Sequence, residues 1–225
     1  MDAQRLVDPE IAEALSSRPT ANFGGLTFAD IRALRTERAD ARIIPRLSDA
    51  VERIDHHVPS GDGGPDVVLR VHRPLRRTKP LPCVYWMHGG GLIFGTYEME
   101  DARFDDWVQR FDCIGVSVEY RLAPEHPYPA PLEDCYAGLT WVHQHASELD
   151  IDTGHLGIGG ASSGAGLAAG LALLTRDRGR IPLAFQLLIY PMIDDRQVTS
   201  SSQWEVPVWP PSANALGWSA YLGEA

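Results

Sequence analysis

The spacing of apolar and polar positions changes near residue 50. Before that point Val7, Ile11, Ala14 and Leu15 fall on one helical face, and Phe28, Ile31 and Leu34 fall on another beyond the Gly24-Gly25 break. This spacing predicts two short amphipathic helices, which act as packing partners of a core or as a cap over a site. From residue 51 the period becomes two: Val67, Leu69 and Val71 alternate with Val68, Arg70 and His72 after a turn-rich stretch at 60–65. With residues 54–58 ahead of that turn, the pattern predicts an antiparallel hairpin whose His56, His57 and His72 sit on its solvent side or at its ends. Residues 83–87 are continuously apolar, as expected of a strand covered on both faces.

Further along, residues 101–111 predict a helix and 114–120 a strand. Leu132, Cys135, Tyr136, Leu139 and Val142 mark the buried stripe of a longer helix. A β-prone run at 156–158, a small-residue helix from 167 to about 179 and a strand over 184–193 follow, and a short helix over 214–222 closes the pattern. Strands alternating with helices of this length predict an α/β fold, a mostly parallel sheet with helices on both faces. The expected division is an N-terminal helical cap over 1–50, a core over 51–193 and a cap-like segment over 194–225.

Two glycine-rich stretches interrupt this pattern. The strand at 83–87 runs into His88-Gly89-Gly90-Gly91, and glycines at the end of a buried strand cost backbone entropy without adding packing. A phosphate cradle is disfavoured, because neither Gly-x-x-x-x-Gly-Lys nor Gly-x-Gly-x-x-Gly is present and no Lys or Arg follows before Arg103. The second stretch, Gly160-x-Ser162-x-Gly164, lies between a predicted strand and a predicted helix and has the spacing of a nucleophile elbow. Its central Ser162 is the expected nucleophile, and the amide of Ser163 is an expected oxyanion donor at the start of the helix.

Charge and cysteine usage narrow the class. A formal net charge of −10 repels phosphate backbones, so nucleic acid is not an expected partner. Cys83, Cys113 and Cys135 are odd in number and widely spaced, which suits reduced, buried thiols and not a disulfide framework or a zinc site. His56 and His57 point to opposite faces of a strand, and His143 and His145 diverge on a helix, so neither pair shares a metal ion. No metal or cofactor is expected. With no secretion signal and no apolar run long enough to span a bilayer, the expectation is a soluble, cytoplasmic protein.

Taken together, four segments resemble the hormone-sensitive-lipase-like esterases of the α/β-hydrolase fold. They are His88-Gly89-Gly90-Gly91, Tyr120-Arg121-Leu122-Ala123-Pro124-Glu125-His126-Pro127, Gly160-Ala161-Ser162-Ser163-Gly164 and Leu188-Ile189-Tyr190-Pro191-Met192-Ile193-Asp194. The resemblance covers roughly residues 50–222 and implies a serine carboxylesterase that cleaves small acyl esters through an acyl-enzyme. It assigns further oxyanion donors to the amides of Gly90 and Gly91, and gives His88 and Gly89 a supporting role in the loop. Ala161 departs from the family, which often has an acidic residue before the nucleophile. Trp86, Phe94 and Tyr97 surround the loop and either shape an acyl or alcohol pocket or pack in the core and lid.

The chemistry is incomplete in one respect. In this fold the order along the chain is Ser, then Asp or Glu, then His, yet all eight histidines precede Ser162. The later carboxylates, Asp177, Asp194, Asp195, Glu205 and Glu224, do not sit in a strand-end context like the family's acid. The sequence reads as the family cut off before its last strands, with acid and base expected beyond residue 225. Such a cut leaves the strand near 184–190 as an apolar sheet edge, open to pairing with a second copy. The alternatives are a truncated pseudoenzyme and a non-catalytic small-molecule-binding protein on the same fold. The uncharged, aromatic-lined approach to the serine points to apolar esters and away from charged ones.

Overall fold

The computed structural model describes residues 7–16, 23, 25–40, 46–206 and 208–223. Gly24 of the expected helix break and Glu224 lie outside the described residues. Helices α1 (Pro9–Ser16) and α2 (Phe28–Asp40) precede six strands: β1 (Val51–Val58), β2 (Val67–Pro74), β3 (Leu81–Met87), β4 (Ile114–Glu119), β5 (Ile151–Ala161) and β6 (Gln186–Ile189). They form one sheet in the order β1-β2-β4-β3-β5-β6. The β1–β2 hairpin and the β2–β4 pair are antiparallel, and the other pairs are parallel. Between the parallel strands run α3 (Asp101–Phe111), α4 (Ala130–Gln144) and α5 (Ser163–Arg178), and α6 (Pro211–Leu222) comes last.

The period-two rule explains how the core divides. On β3, Cys83, Tyr85 and Met87 join one buried cluster with Ile114, Val116 and Val118 of β4 and with Leu139, Leu167 and Leu171 of the helices. Trp86 points the other way, into a second cluster with Phe104 and Val108 of α3. The central strand is thereby covered on both faces, as its unbroken apolar run requires. Helix α5 ends where Gly179 turns left-handed, with φ 64, and donates its N–H to the carbonyls of Thr175 and Arg176. Cys83, Cys113 and Cys135 are buried free thiols, and burial raises the pKa of each.

Three expectations are corrected. His72 is not on a solvent face: it is fully buried, its Nε2 lies 2.9 Å from Asp101 Oδ1, and its ring lies 4.9 Å from that of Phe104. Helix α3 covers this side of β2, so the alternation marks an inner face where a bare hairpin would show an outer one. Strand β6 is four residues long, not ten. Pro191 has no N–H for a ladder, and the N–H of Met192 goes to the Ser162 carbonyl at 3.0 Å. Finally, α1 buries none of its residues and leaves Ile11 55% exposed, whereas α2 does bury Ile31. No helix among the described residues is long and apolar enough to cross a membrane.

Candidate active site

Ser162 occupies the single position between the end of β5 and the start of α5, at φ 57 and ψ −121. A side-chain-bearing residue in such a conformation costs on the order of 1–3 kcal/mol and persists only where its surroundings over-determine it. Four backbone bonds do so here. The Ser162 N–H donates to the Ile189 carbonyl at 2.9 Å, and the Ser162 carbonyl accepts from Met192 at 3.0 Å and from Ala165 and Gly166 at 3.1 Å. The flanking glycines are required by close approach. A methyl group on Gly164 would overlap the carbonyl oxygens of Met87 and His88, and one on Gly160 would overlap the backbone of Gly164.

The strand order brings the second glycine stretch to this turn. Strands β3 and β5 are parallel neighbours with Met87 opposite Gly160, so the loop leaving β3 meets the elbow leaving β5. Gly89 lies against it: a Cβ there would be 3.0 Å from the Ala161 carbonyl oxygen and 3.5 Å from Ser162 Cβ. Gly90 and Gly91 take φ of 131 and 64, a region that favours glycine, and the Gly90 carbonyl accepts the N–H groups of Ile93 and Phe94 at 3.2 and 2.9 Å. His88 is buried and stacked on Tyr120, with ring centres 4.3 Å apart. Its Nδ1–H donates to the Gly89 carbonyl at 2.8 Å, and the Tyr120 hydroxyl donates to the His88 carbonyl at 2.7 Å. Burial lowers the His88 pKa to about 4, so the ring is neutral at neutral pH. His88 Nε2 has no partner among the described residues.

Loop and elbow form the floor of a cavity of about 930 Å³, within the range of small-molecule sites. Phe23, Trp204 and Trp209 with Thr199, Ser201 and Ser202 form its roof. The Trp209 ring lies directly on Gly91, leaving no room there for a side chain, and sits 5.4 Å from the ring of Phe23. Helix α6 backs the same glycine: a methyl group on Gly217 would be 2.6 Å from the Gly91 carbonyl oxygen. Of the expected site residues, Gly89, Gly90, Gly91, Phe94 and Ser162 line the cavity. Ser163 lies just beneath, buried at the first position of α5.

Trp86 and Tyr97 lie outside this lining. Trp86 is fully buried under the guanidinium of Arg103, 4.8 Å from its ring centre, and edge-on to Trp107. Tyr97 faces away, its hydroxyl donating to Asp55 at 3.2 Å and its ring 4.6 Å from the Arg70 guanidinium. The wall is also not uncharged, since Glu100, Arg103 and Asp194 contribute to it. Arg103 had no motif to mark it, only its place as the first cation after the glycine loop.

None of the described residues lining the cavity is a histidine. Asp194 is committed to Arg196, whose paired N–H groups hold its carboxyl below the usual carboxylate range. Among the described residues no group of three or more His, Cys, Asp or Glu side chains could hold a metal ion.

A family model described as alpha/beta hydrolase fold matches residues 84–225. Carboxylesterase NlhH of Mycobacterium tuberculosis (strain ATCC 25618 / H37Rv) is 37% identical over 187 residues, which cover 82% of this chain and 57% of NlhH. Esterase LipI of the same strain is 38% identical over 229 residues, covering 99% of this chain and 69% of LipI. Among solved structures, a bacterial heroin esterase superposes with a TM-score of 0.90 at 38% identity, over 99% of this chain and 70% of that one. Esterase LipW from Mycobacterium marinum gives 0.80 at 34% identity, over 98% and 69%. The chain belongs to the α/β-hydrolase fold family, within its hormone-sensitive-lipase-like esterase branch. It spans 57% of the length of NlhH.

Proposed function

We propose that this chain carries the nucleophile and oxyanion half of a serine carboxylesterase acting on small esters. Ser162 attacks the ester carbonyl and is acylated, the alcohol leaves, and water releases the acid. The amides of Gly90, Gly91 and Ser163 receive the developing oxyanion, where one donor is worth about 3 to 4 kcal/mol. His88 and Gly89 hold the loop. The observation that carries this reading is the strained Ser162 turn pressed against the Gly89–Gly91 loop at the floor of one cavity. The residues over 1–50 and 194–225 act as caps around the 51–193 core; Phe23 and Trp209 supply support, since both stand over the floor.

The base and its acid come, in this reading, from outside residues 1–225. Every histidine precedes Ser162 in the sequence, and His88, beside the loop, is buried and engaged with Gly89 and Tyr120. A reading frame continuing past codon 225 is expected to encode an Asp and then a His. The three buried free thiols suit a reducing, cytoplasmic setting, and the exposed β6 edge suits pairing with strands expected beyond residue 225 or, without them, with a second copy.

Without its base the 225-residue chain should acylate slowly, since an oxyanion hole and binding alone still leave about 10³–10⁴-fold catalysis over water. Intact-mass analysis after incubation with p-nitrophenyl acetate should show one acetyl group on Ser162 and none in Ser162→Ala. Acetylation confined to Lys79 or the N-terminal amine and unaffected by Ser162→Ala would overturn the proposal. Turnover at ordinary esterase rates by this chain would overturn the part that places the base elsewhere.

A further inference from the structure

Arg103 is the cavity's unexplained charge. Its Nε–H donates to the buried carboxylate of Glu100 at 2.6 Å, and its guanidinium lies 4.8 and 5.5 Å from the ring centres of Trp86 and Trp107. These contacts hold Nε and place two aromatic rings beside the group. The two terminal nitrogens donate to no described residue, the side chain is 32% exposed, and it lines the same cavity as Ser162.

Two other arginines of the molecule each hold a second carboxylate, whereas Arg53, Arg73 and Arg77 pair with one, as Arg103 does. Arg70 is held by two carboxylates, Asp55 at 2.7 Å and Asp101 at 2.9 Å. Arg121 is likewise held by Asp134 at 2.8 Å and Asp62 at 2.7 Å. Arg103 has one carboxylate, at Nε, which leaves the edge formed by its two terminal nitrogens without a carboxylate in a side chain that lines the Ser162 cavity. That edge is a pair of N–H groups at the spacing of a carboxylate's two oxygens, a geometry a lysine cannot offer. The hydrogen bond to Glu100 and the cation–π contacts with Trp86 and Trp107 restrict the fork in advance, so less rotamer freedom remains to be lost on binding.

We infer that Arg103 is a specificity-determining position that binds a carboxylate carried on the acyl or alcohol arm of the ester, so that the preferred substrates are monoesters of dicarboxylic acids or esters of hydroxy acids. This rests on the esterase reading. It replaces the apolar substrate expected from sequence with an acidic one. Glu100 stays as the permanent counter-ion, and the substrate carboxylate takes the place that a second Asp fills at Arg70 and Arg121.

The test compares three phenyl esters on the unaltered chain by tryptophan fluorescence titration: monophenyl glutarate, its neutral methyl ester and phenyl pentanoate. Monophenyl glutarate should bind about tenfold more tightly than either neutral ester, the increment of a charge-assisted hydrogen-bonded pair. Arg103→Met, which keeps a stem over Trp86, should erase that preference and leave the affinity for phenyl pentanoate unchanged. Equal affinities for all three esters on the unaltered chain, or a preference that survives in folded Arg103→Met, would overturn the inference while leaving the esterase reading intact. Binding of none of the three would overturn both.

Discussion

The floor and the roof of the cavity are built in different ways. The floor is fixed by bonds between distant parts of the backbone: Ser162 to Ile189, Met192 to Ser162, Tyr120 to His88. The roof segment is closed mainly on itself. Ser202, Gln203 and Trp204 donate their N–H groups to carbonyls three residues back, and Gln203 Nε2 donates to the Gln197 carbonyl. The ring of Trp209, on Gly91 and beside Phe23, ties this segment to the floor. Sheet topology therefore sets Ser162 and the glycine loop, whereas side-chain packing sets the cover. A change in the floor should propagate into the fold, and one in the roof should stay local.

Gly164→Ala presses hardest on that contrast. Its methyl group has nowhere to go but into the carbonyls that end β3, and overpacking against backbone should cost about 3 kcal/mol or more. Urea unfolding followed by circular dichroism should show the loss across the whole chain. A midpoint within error of the parent's would mean that the elbow is looser than its contacts imply.

Acid should weaken the floor through His88. Unfolded, the imidazole protonates near 6.5; folded, burial delays this to about 4. Between those values the unfolded chain binds more protons, so stability is present above about pH 6.5 and is lost as pH falls towards 4, by up to about 3 kcal/mol. His88→Gln, less stable at pH 7.5, should show a correspondingly shallower decline in urea titrations between pH 7.5 and 4.5. Parallel pH profiles for the two proteins would assign the acid sensitivity to other groups.

The smallest effect is expected in the roof. Trp209→Ala removes one ring from Phe23 and Gly91 and should cost about 1 to 2 kcal/mol, below the range for a fully buried tryptophan because this one is only partly buried. Far-UV circular dichroism and the His88-linked pH profile should be unchanged. A global loss as large as that of Gly164→Ala would erase the distinction between floor and roof.

The same division governs what was legible in the sequence. Gly160, Gly164, Gly90 and Gly91 stood out because backbone crowding or a positive φ admits little else, and such constraints are written locally. Alternation placed β2 and β4 and an unbroken apolar run placed β3, since each packs against its neighbours along most of its length. It failed for His72, because burial there comes from a helix that begins 29 residues later. It overextended β6, because apolar character continues past Pro191 while hydrogen bonding to the sheet does not. Of the two roles open to Trp86 in the sequence, pocket wall or core packing, strand alternation gives the second, pointing it to the opposite face, where Arg103 covers it. Arg103 could not be found from one segment, since its position depends on a strand, a short helical turn and α3 meeting at one wall of the cavity.

The bond from the Ser162 amide to Ile189 reaches the outermost of the described strands, four residues paired on one side by β5. A strand held on one flank opens more readily than those at the centre of a sheet. The exchange of that single amide hydrogen with solvent is then a clock for the outer strand. Anything that pairs with the other side of β6, further strands of the same sheet included, should slow it, and would do so by stiffening the seat of the serine without touching the cavity.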